Sequence, residues 1–412
     1  MTKTTWQNVI DEAARCLNCA KAPCKKACPL SNDIPAITLA LKNGQFEKAG
    51  ALVAQTNPLG AICGVVCPHE KQCQSACVLN AKGNPIQIGY LEENAFRYGF
   101  DGFEKLDDSL AGKFVAIVGS GVAGITCAVR LAQRGATVRV FDKEEVIGGV
   151  VQHEIPRFRL NHDHIVNLIQ SAKQLGIGFV RNVYVGKTNG YLLTDLSSQY
   201  DAVFVATGLT IDSTLGIDGE NLCGVRYGKE FLKNAKVGSN VVVIGGGNVA
   251  MDCARTAIRL GAKVTLAYRR GYEQMPAFEK EKQDALAEGV EFAYLLSPHA
   301  INGSTAVESM TFEQMALGQA GEDGRASIVA TGNYQLLDCD TVIVATGSKL
   351  DTTVLVGTDI KVEKGRVVVD ENLNAGGNVF FGGDNVNREG TVVWAVKDGI
   401  KASDSITQFL KN

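Results

Sequence analysis

The 412-residue sequence lacks a strong net charge and long apolar runs. Its 41 basic and 44 acidic residues leave a formal net charge of −3, so no basic surface favours nucleic acid or anionic lipid as a partner. No apolar run reaches the ~18 residues of a membrane-spanning helix. The first residues, MTKTTWQNVIDEAARC, contain no apolar signal segment. We therefore expect a cytoplasmic protein that binds neither nucleic acid nor a membrane.

Cysteine, by contrast, is abundant, with 12 residues in the chain and eight of them between Cys16 and Cys77. Because cytoplasmic thiols stay reduced, so dense a pattern indicates metal or redox chemistry rather than disulfide bonds. The spacing is Cys-x2-Cys-x4-Cys-x3-Cys-Pro from Cys16 and Cys-x3-Cys-Pro-x4-Cys-x3-Cys from Cys63. A cysteine followed by proline commonly ends an iron–sulfur run. A zinc site is the alternative, although structural zinc favours two Cys-x2-Cys pairs and these runs contain one.

Helical signals surround the two cysteine runs. Asp33 supplies a helix-capping residue. Apolar residues then recur at helical spacing over 37–53, with a break at Asn43-Gly44. We expect a helical hairpin that backs the cysteine loops, within a first domain of residues 1–110 that ends in a polar linker.

Beyond the linker the pattern changes to strand, helix, strand. An apolar run at 114–118 ends at Gly119-x-Gly121-x-x-Gly124, a helix follows, and the next strand ends at Asp142. The first glycine allows a tight turn, the second lets the backbone approach a pyrophosphate, and the third lets the helix pack closely on the strand. The carboxylate would accept hydrogen bonds from ribose hydroxyls. This unit predicts a dinucleotide site, and the Gly-Gly pair soon after the acid is typical of FAD.

A second copy of this unit follows. Its glycine pattern is Gly245-x-Gly247-x-x-Ala250, and its second strand ends at Arg269-Arg270, with no acid at the ribose position. Because guanidinium groups can hold a 2′-phosphate that a carboxylate would repel, we expect NADPH here, with NADH as the alternative. A solvated strand end is the other interpretation of the two arginines.

Further repetition supports a duplicated nucleotide-binding architecture. The strand and Ala-Thr-Gly turn at 201–208 recur at 340–347, and an internal duplication is stronger evidence than either motif alone. Near the C-terminus a strand runs into Gly382-Gly383-Asp384. By sequence alone this could be any surface turn, and only its position after the second Ala-Thr-Gly turn suggests a role. No Cys-x2-Cys pair lies beside the second copy, which argues against thioredoxin-reductase chemistry. We expect the isolated cysteines to be buried thiols: Cys127, Cys223, Cys253 and Cys339.

Together these features resemble, over essentially the whole chain, the electron-input module shared by dihydropyrimidine dehydrogenase and the small subunit of bacterial glutamate synthase. The resemblance rests on the cysteine pattern, on the Gly-Gly-Asp turn, and on segments 57–60 (NPLG), 148–160 (with GG and IPRFRL) and 245–252 (GGGNVAMD). It implies an α/β fold in which two nested Rossmann-like domains of the glutathione-reductase type follow an α-helical iron–sulfur domain. The implied domains are a split FAD-binding domain, 111–226 and 346–412, around an NAD(P)H-binding domain, 227–345.

The same resemblance implies two [4Fe-4S] clusters. The ligands of one would be Cys16, Cys19, Cys24 and Cys77. The cysteine ligands of the other would be Cys28, Cys67 and Cys73. Its fourth ligand is glutamine in the pyrimidine enzymes, and the matching position here is Glu92. That departure leaves Cys63, otherwise a spectator, as the alternative fourth ligand.

The remaining predicted contacts are to the two nucleotides. For FAD they are Gly119, Gly121, Gly124, Asp142, Gly149, Arg159, Gly383, Asp384 and Thr391. For NADPH they are Gly245, Gly246, Gly247, Asn248, Val249, Arg269, Arg270 and Gly347. No catalytic side chain is expected, because hydride transfer to a flavin needs orientation rather than a general acid.

The predicted function is electron transfer from NADPH through FAD and the two clusters to a partner subunit, in a hetero-oligomer. The sequence contains no FMN barrel and no glutamine amidotransferase, so we expect the final acceptor on another polypeptide. We expect that acceptor to be the FMN-containing, pyrimidine-reducing subunit of a dihydropyrimidine dehydrogenase, which the compact length favours. The paired arginines, Met275-Pro276 and Glu92 favour the large subunit of glutamate synthase instead. A non-catalytic scaffold is a third interpretation, against which the complete set of glycines and cysteines argues.

Overall fold

The computed structural model describes residues 5–186, 191–320 and 326–412. The chain divides into two compact units. The first unit comprises the residues up to Gln152 together with Arg157–Leu209 and Leu350–Asn412. The second unit comprises His153–Pro156 and Thr210–Lys349. The second unit therefore includes residues 210–226, which the sequence analysis assigned to the FAD-binding domain. The cofactor carried by each domain stays a prediction.

Helices and strands alternate over most of the chain after an all-helical N-terminal region. The α-helices are α1 (Thr5–Ala14), α2 (Pro23–Ala27), α3 (Ile34–Lys42), α4 (Phe46–Thr56), α5 (Gly60–Val66), α6 (Ile88–Gly99), α7 (Val122–Gln133), α8 (Val150–His153), α9 (Asp163–Gln174), α10 (Leu193–Gln199), α11 (Gly228–Lys233), α12 (Asn248–Arg259), α13 (Glu279–Ala287) and α14 (Val392–Lys411). The strands are β1 (Phe114–Val118), β2 (Thr137–Phe141), β3 (Gly178–Val180), β4 (Ala202–Val205), β5 (Leu209–Asp212), β6 (Val225–Tyr227), β7 (Asn240–Ile244), β8 (Lys263–Tyr268), β9 (Glu291–Tyr294), β10 (Leu296–Asn302), β11 (Ser309–Ala320), β12 (Ala326–Asp338), β13 (Thr341–Val344), β14 (Ser348–Leu350), β15 (Val362–Glu363), β16 (Arg366–Val367), β17 (Asn374–Gly376) and β18 (Val379–Phe381).

The N-terminal region of the first unit is a small helical core. Helices α1, α3, α4 and α6 bury apolar side chains that include Leu41, Val53 and Leu91. The predicted hairpin is confirmed, because α3 and α4 are joined by a short turn and the Asp33 carboxylate caps α3 by accepting the Ala36 amide. No single helix in the described ranges has the length and apolarity to cross a membrane. Helices α4 and α5 have the required length and apolarity only when they are taken together, and the chain bends by 83° between them.

The first unit also contains a six-stranded sheet in the order β17-β18-β4-β1-β2-β3. All its neighbouring strands are parallel except the edge pair β17 and β18. Strand β1 is buried at four of its five residues because helices cover a parallel sheet on both faces. The carboxyl ends of β1, β2, β4 and β18 lead into Gly119, Asp142, Ala206 and Gly382. Ligands bind at this edge of open α/β sheets.

The second unit repeats this architecture with a five-stranded sheet in the order β6-β13-β7-β8-β9. Its strands β7, β8 and β13 lead at their carboxyl ends into Gly245, Arg269 and Ala345. An antiparallel sheet, β10-β11-β12, follows in the same unit. The duplication predicted from the two glycine patterns and the two Ala-Thr-Gly turns is thus confirmed as a repeat of structure.

One prediction about the isolated cysteines is wrong. Cys127, Cys253 and Cys339 are buried, as expected, but Cys223 is exposed. It lies in the loop before β6, where its backbone pairs with Ala306 and its side chain is left outside the core. A cysteine in a connecting loop carries no apolar periodicity, so the sequence offered no signal for its exposure.

Candidate functional site

Four cysteines line one small cavity in the helical region of the first unit. They come from the loop after α1, from α2, and from the turn before Val78: Cys16, Cys19, Cys24 and Cys77. The other lining residues are apolar and include Leu17, Ile34 and Ile86. Burial raises the pKa of the Cys24 thiol, and the nearby Cys16 and Cys77 add to that increase. An apolar cavity lined by four thiols suits a group that binds them as thiolates and supplies the compensating positive charge.

A second group of titratable side chains lies between α5 and α6. Cys28, Cys67, Cys73 and Glu92 interact electrostatically with one another. Burial raises the pKa of Cys28 to about 11, and burial also raises the pKa of Cys73. Across the residues that the structure describes, no three cysteine, histidine or acidic side chains converge as closely as one metal ion requires.

Glu92 is held in place by an amide network. It is 8% exposed on α6, and its carboxyl group accepts hydrogen bonds from the side chains of Asn32 and Asn57. The Thr56 hydroxyl donates to the side-chain oxygen (Oδ1) of Asn32, which fixes the orientation of the Asn32 side-chain amide. Burial raises the pKa of Glu92 to about 7. A buried carboxyl that two amides hold, and whose charge raises the pKa of Cys28, Cys67 and Cys73, is a suitable oxygen ligand.

Cys63 also lies beside the second group. It is 1% exposed on α5, and its hydrogen bond to Cys67 raises the pKa of the Cys67 thiol. The sequence analysis missed another neighbour, His69, whose Nδ1 lies 3.4 Å from the Cys73 sulfur and whose Nε2 lies 3.0 Å from the Gly64 carbonyl oxygen. Its position directly after the Cys67-Pro68 pair was the available signal. Glu92 and Cys63, the two candidates for the fourth ligand, thus both lie next to the second group of thiols.

At the first glycine loop the space around each glycine differs. A Cβ on Gly119 would lie 2.5 Å from the Ala206 carbonyl oxygen, and one on Gly124 would lie 2.0 Å from the Gly119 oxygen. A Cβ on Gly121 would meet nothing closer than 3.9 Å. The outer glycines are therefore required by the protein's own backbone, whereas Gly121 borders open space. The Asp142 carboxylate braces this loop by accepting the Ser120 amide at 2.6 Å and its hydroxyl at 2.5 Å.

The other predicted FAD contacts belong to the same unit. Gly149 has a φ of +57°, and a Cβ there would lie 2.7 Å from the Gly121 Cα atom. The Gly-Gly pair that follows Asp142 therefore packs directly on the first glycine loop. The Gly383 amide donates to the Asp398 carboxylate at 2.9 Å. Asp384 follows it in the same turn. Thr391, at the start of α14, has a buried hydroxyl without a hydrogen-bond partner among the described residues. A nucleotide that supplied a partner would satisfy that hydroxyl.

Arg159 is half-buried in the loop between α8 and α9, within the first unit.

The second glycine loop repeats this arrangement. Gly245 has a φ of +146°, and a Cβ there would lie 2.3 Å from the Ala345 carbonyl oxygen. A Cβ on Gly246 would contact the Tyr268 ring at 2.5 Å, whereas one on Gly247 would meet nothing within 4 Å. The Asn248 side-chain oxygen accepts the Phe278 amide at 2.9 Å, which holds the segment before α13 against the loop.

The two arginines after β8 have different environments. The side chain of Arg269 is exposed. Arg270 is half-buried, and its Nε donates to the Ala326 carbonyl oxygen at 2.8 Å. Val249, in the first turn of α12, is 36% exposed, and Gly347 has a φ of +116° with open space around its Cβ position. Of the two arginines, Arg269 therefore faces solvent, whereas Arg270 has a structural hydrogen bond.

Comparison with known protein families identifies both parts of the chain. Residues 1–101 match the family model described as dihydropyrimidine dehydrogenase domain II, 4Fe-4S cluster. Residues 113–399 match the pyridine nucleotide-disulphide oxidoreductase model. The glutamate synthase [NADPH] small chain of Escherichia coli K12 is 34% identical over 433 aligned positions, which cover 97% of this chain and 91% of that relative. The chain belongs to the family that includes this small chain.

Other members have different names. The beta subunit of an NADP(+)-dependent formate dehydrogenase from Moorella thermoacetica is 36% identical over 95% of this chain, which spans 60% of that relative. Among solved structures, Mycobacterium tuberculosis FprA in complex with NADPH aligns with a TM-score of 0.61 at 22% identity over 72% of this chain and 84% of that chain. Thioredoxin reductase from T. acidophilum aligns with a TM-score of 0.57 at 23% identity over 74% and 98%. These two structures share the fold.

These findings confirm the predicted α/β fold class and the enzyme class. The chain is an oxidoreductase of the electron-input type, with a 4Fe-4S domain joined to an FAD- and NADPH-binding oxidoreductase domain. The predicted cofactor classes are confirmed at this level of domains. The individual ligands and nucleotide contacts stay predictions, as does the pyrimidine partner, which is represented only in the description of the cluster domain.

Proposed function

We propose that this chain oxidises NADPH and passes the electrons through FAD and two [4Fe-4S] clusters to a partner subunit in the cytoplasm. When bound, FAD would accept hydride and the clusters would carry single electrons onward. The observation that carries the proposal is that one chain holds two open glycine loops and two separate groups of thiols. None of these features is needed by a scaffold.

The ligand assignment follows the two groups of side chains. The first cavity supplies four thiols. The second group supplies Cys28, Cys67 and Cys73, and we assign its fourth position to Glu92 rather than Cys63. The side-chain amides of Asn32 and Asn57 hold the Glu92 carboxyl, whereas the Cys63 sulfur is engaged by the neighbouring Cys67. An oxygen ligand in place of a thiolate alters the charge and hydrogen bonding that set a cluster's potential.

The coenzyme preference is assigned to Arg269. An exposed guanidinium at the end of β8 can form paired charge-assisted hydrogen bonds with a 2′-phosphate. Arg270 contributes less to that contact because its Nε is already bonded to the Ala326 carbonyl oxygen. Gly247 would let the backbone approach the pyrophosphate, at the N-terminus of α12.

The first cavity also indicates where a partner docks. Leu17 and Val78, on its edge, are 60% and 50% exposed. Lys21 and Lys26 are exposed nearby, and no acidic residue occurs over 13–32. We call these two lysines the basic rim. An apolar centre with a positive border suits a partner face that is apolar with an acidic border.

For the partner itself, the first candidate is the large subunit of a glutamate synthase, because the small chain of that enzyme is similar over nearly its whole length. The second candidate is a pyrimidine-reducing, FMN-containing subunit, which the description of the family matching residues 1–101 favours. The sequence analysis ranked these in the opposite order on chain length alone.

An anaerobic experiment tests the proposal. Purified protein is mixed with NADPH in a stopped-flow spectrometer while flavin and iron–sulfur absorbance are followed. We expect flavin bleaching followed by cluster bleaching, and iron close to eight atoms per chain, as two four-iron clusters require. Flavin without iron, or iron that NADPH never reduces, would refute the electron path. Affinity capture with a tagged copy then separates the partner candidates by the cofactor and size of the captured chain.

A further inference from the structure

Arg130, on α7 of the first unit, is a half-buried cation whose hydrogen bonds go to oxygen atoms of neutral groups. Its guanidinium donates to the carbonyl oxygens of Ala54 at 3.1 Å and Gln55 at 2.7 Å, and to Gln133 Oε1 at 2.9 Å. Burial lowers the pKa of Arg130 to about 10. In the described part of the chain no acidic side chain forms an ion pair with it. A partly desolvated charge usually has an oppositely charged partner, so the three neutral acceptors around Arg130 need an explanation.

The carbonyl groups that hold Arg130 are those of the last turn of α4. A helix C-terminus carries partial negative charge and unsatisfied carbonyl oxygens, so it can accept a cation. The planar guanidinium reaches two of these oxygens and one amide simultaneously, which a lysine ammonium on a single flexible stem reproduces poorly. The contact therefore fixes both the position and the rotation of the end of α4.

The two helices joined here lead to different redox sites. Helix α7 begins at the glycine loop predicted to hold FAD, and Arg130 lies in its last turn. Helix α4 ends at Thr56, and Asn57 follows. The side chains of these two residues bond Asn32 and Glu92, the network beside the second cysteine group. Arg130 is thus the point at which the helix of the flavin loop holds the backbone of the second cluster site.

A neighbouring residue on α7 strengthens the same junction. Gln133 is 6% exposed, accepts from Arg130, and donates from Nε2 to the Glu104 carbonyl oxygen at 3.2 Å. Its own carbonyl oxygen accepts the Leu106 amide at 2.7 Å. One turn of α7 therefore restrains both the end of α4 and the linker that connects the cluster region to β1.

We propose that Arg130 is a positioning residue that sets the spacing between the flavin site and the second cluster site. The inference rests on the proposed electron path. With FAD and the clusters bound, the step concerned would move one electron from reduced flavin to a cluster, so loss and gain would balance without a proton donor or further reactant. Because sites must be held within about 0.5 Å of their working geometry, a loosened junction would slow that step and leave the earlier hydride step unchanged.

The test compares Arg130→Met and Arg130→Lys with Arg134→Lys, all as purified holoprotein. Arg134 lies four residues farther along the chain and pairs with Asp404 on α14 instead of with α4. Rapid mixing with NADPH gives separate rates for flavin reduction and for cluster reduction. Hydrogen exchange gives the protection of the backbone amides at 53–60.

We expect cluster reduction to slow about tenfold in Arg130→Met, with partial recovery in Arg130→Lys. Flavin reduction should stay within about twofold of wild type, and amides at 53–60 should lose protection. Arg134→Lys should match wild type in all three measurements. The inference is overturned if Arg130→Met reduces its clusters at the wild-type rate, or if the two Arg130 variants keep full protection at 53–60.

The closing experiment separates two kinds of failure. A wild-type protein whose clusters NADPH never reduces would refute the proposed function. The exchange data would then still decide whether Arg130 anchors the end of α4. If Arg130→Met fails to fold, the lysine variant carries the comparison, because it keeps the charge and removes the planar fork. A wild-type cluster rate in that folded lysine variant would then overturn the inference.

Discussion

The separation of the two arginines after β8 predicts different consequences for their removal. Arg269→Ala deletes an exposed guanidinium at the proposed 2′-phosphate contact. Arg270→Ala deletes the bond to the Ala326 carbonyl oxygen, which joins the end of β8 to β12. The first change should therefore affect coenzyme selection and the second should affect stability.

The magnitudes follow from the kind of bond lost. Hydrogen bonds to a charged group contribute about 1.5–3 kcal/mol. Loss of about 2 kcal/mol corresponds to about a 30-fold weaker affinity for NADPH. NADH has no 2′-phosphate, so Arg269→Ala should change its affinity by no more than about twofold. For Arg270→Ala we expect about 1 kcal/mol less free energy of unfolding and equal, small effects on both coenzymes.

The assay is flavin reduction by each coenzyme over a concentration series, with denaturant unfolding measured in parallel. Arg259→Ala is the matched control, because this arginine of the same unit bonds Glu288 at the other end of α12. Equal losses for NADPH and NADH in Arg269→Ala would refute the phosphate interpretation. A larger loss of the preference for NADPH over NADH in Arg270→Ala than in Arg269→Ala would contradict the roles proposed for the two side chains.

Three other predictions concern the clusters, the second glycine loop and the partner face. Cys63→Ser should keep wild-type iron content while Cys67→Ser loses one cluster, measured as iron per chain; cluster loss in both would make Cys63 a ligand. Gly247→Ala should fold normally but bind NADPH about tenfold more weakly, whereas Gly245→Ala should lower the melting temperature, because its Cβ would lie 2.3 Å from a backbone oxygen. Replacing the basic rim by glutamates should slow reduction of anionic ferricyanide and accelerate that of cationic hexaammineruthenium(III), both followed optically; equal changes would exclude electron exit at this face.

Much of the fold was predictable because it is encoded in short segments. The apolar run at 114–118 is strand β1, and β2 and β8 end directly before Asp142 and Arg269, as predicted. A parallel strand buried on both faces needs consecutive apolar residues, and its loop needs glycines, so pattern and structure coincide.

The candidate site was predictable in its residue types but not in its supporting contacts. Local spacing identified the thiols, while nothing near Asn32 in sequence indicates that its amide bonds Glu92, 60 residues away. His69 was missed because its contact with Cys73 depends on how the turn between these two residues folds. The exposure of Cys223 likewise depends on a loop without periodicity.

The sequence by itself determined the class of this protein: two glycine loops after buried strands, two cysteine runs, and the absence of an acid after β8. Each depends on residues within one strand–turn–helix unit or one loop, where covalent neighbours dictate geometry. Only the tertiary structure decided which arginine is already engaged, which amides hold Glu92, and that Arg130 joins α7 to α4. These are contacts between segments distant in the chain, so they depend on packing, which no local pattern records.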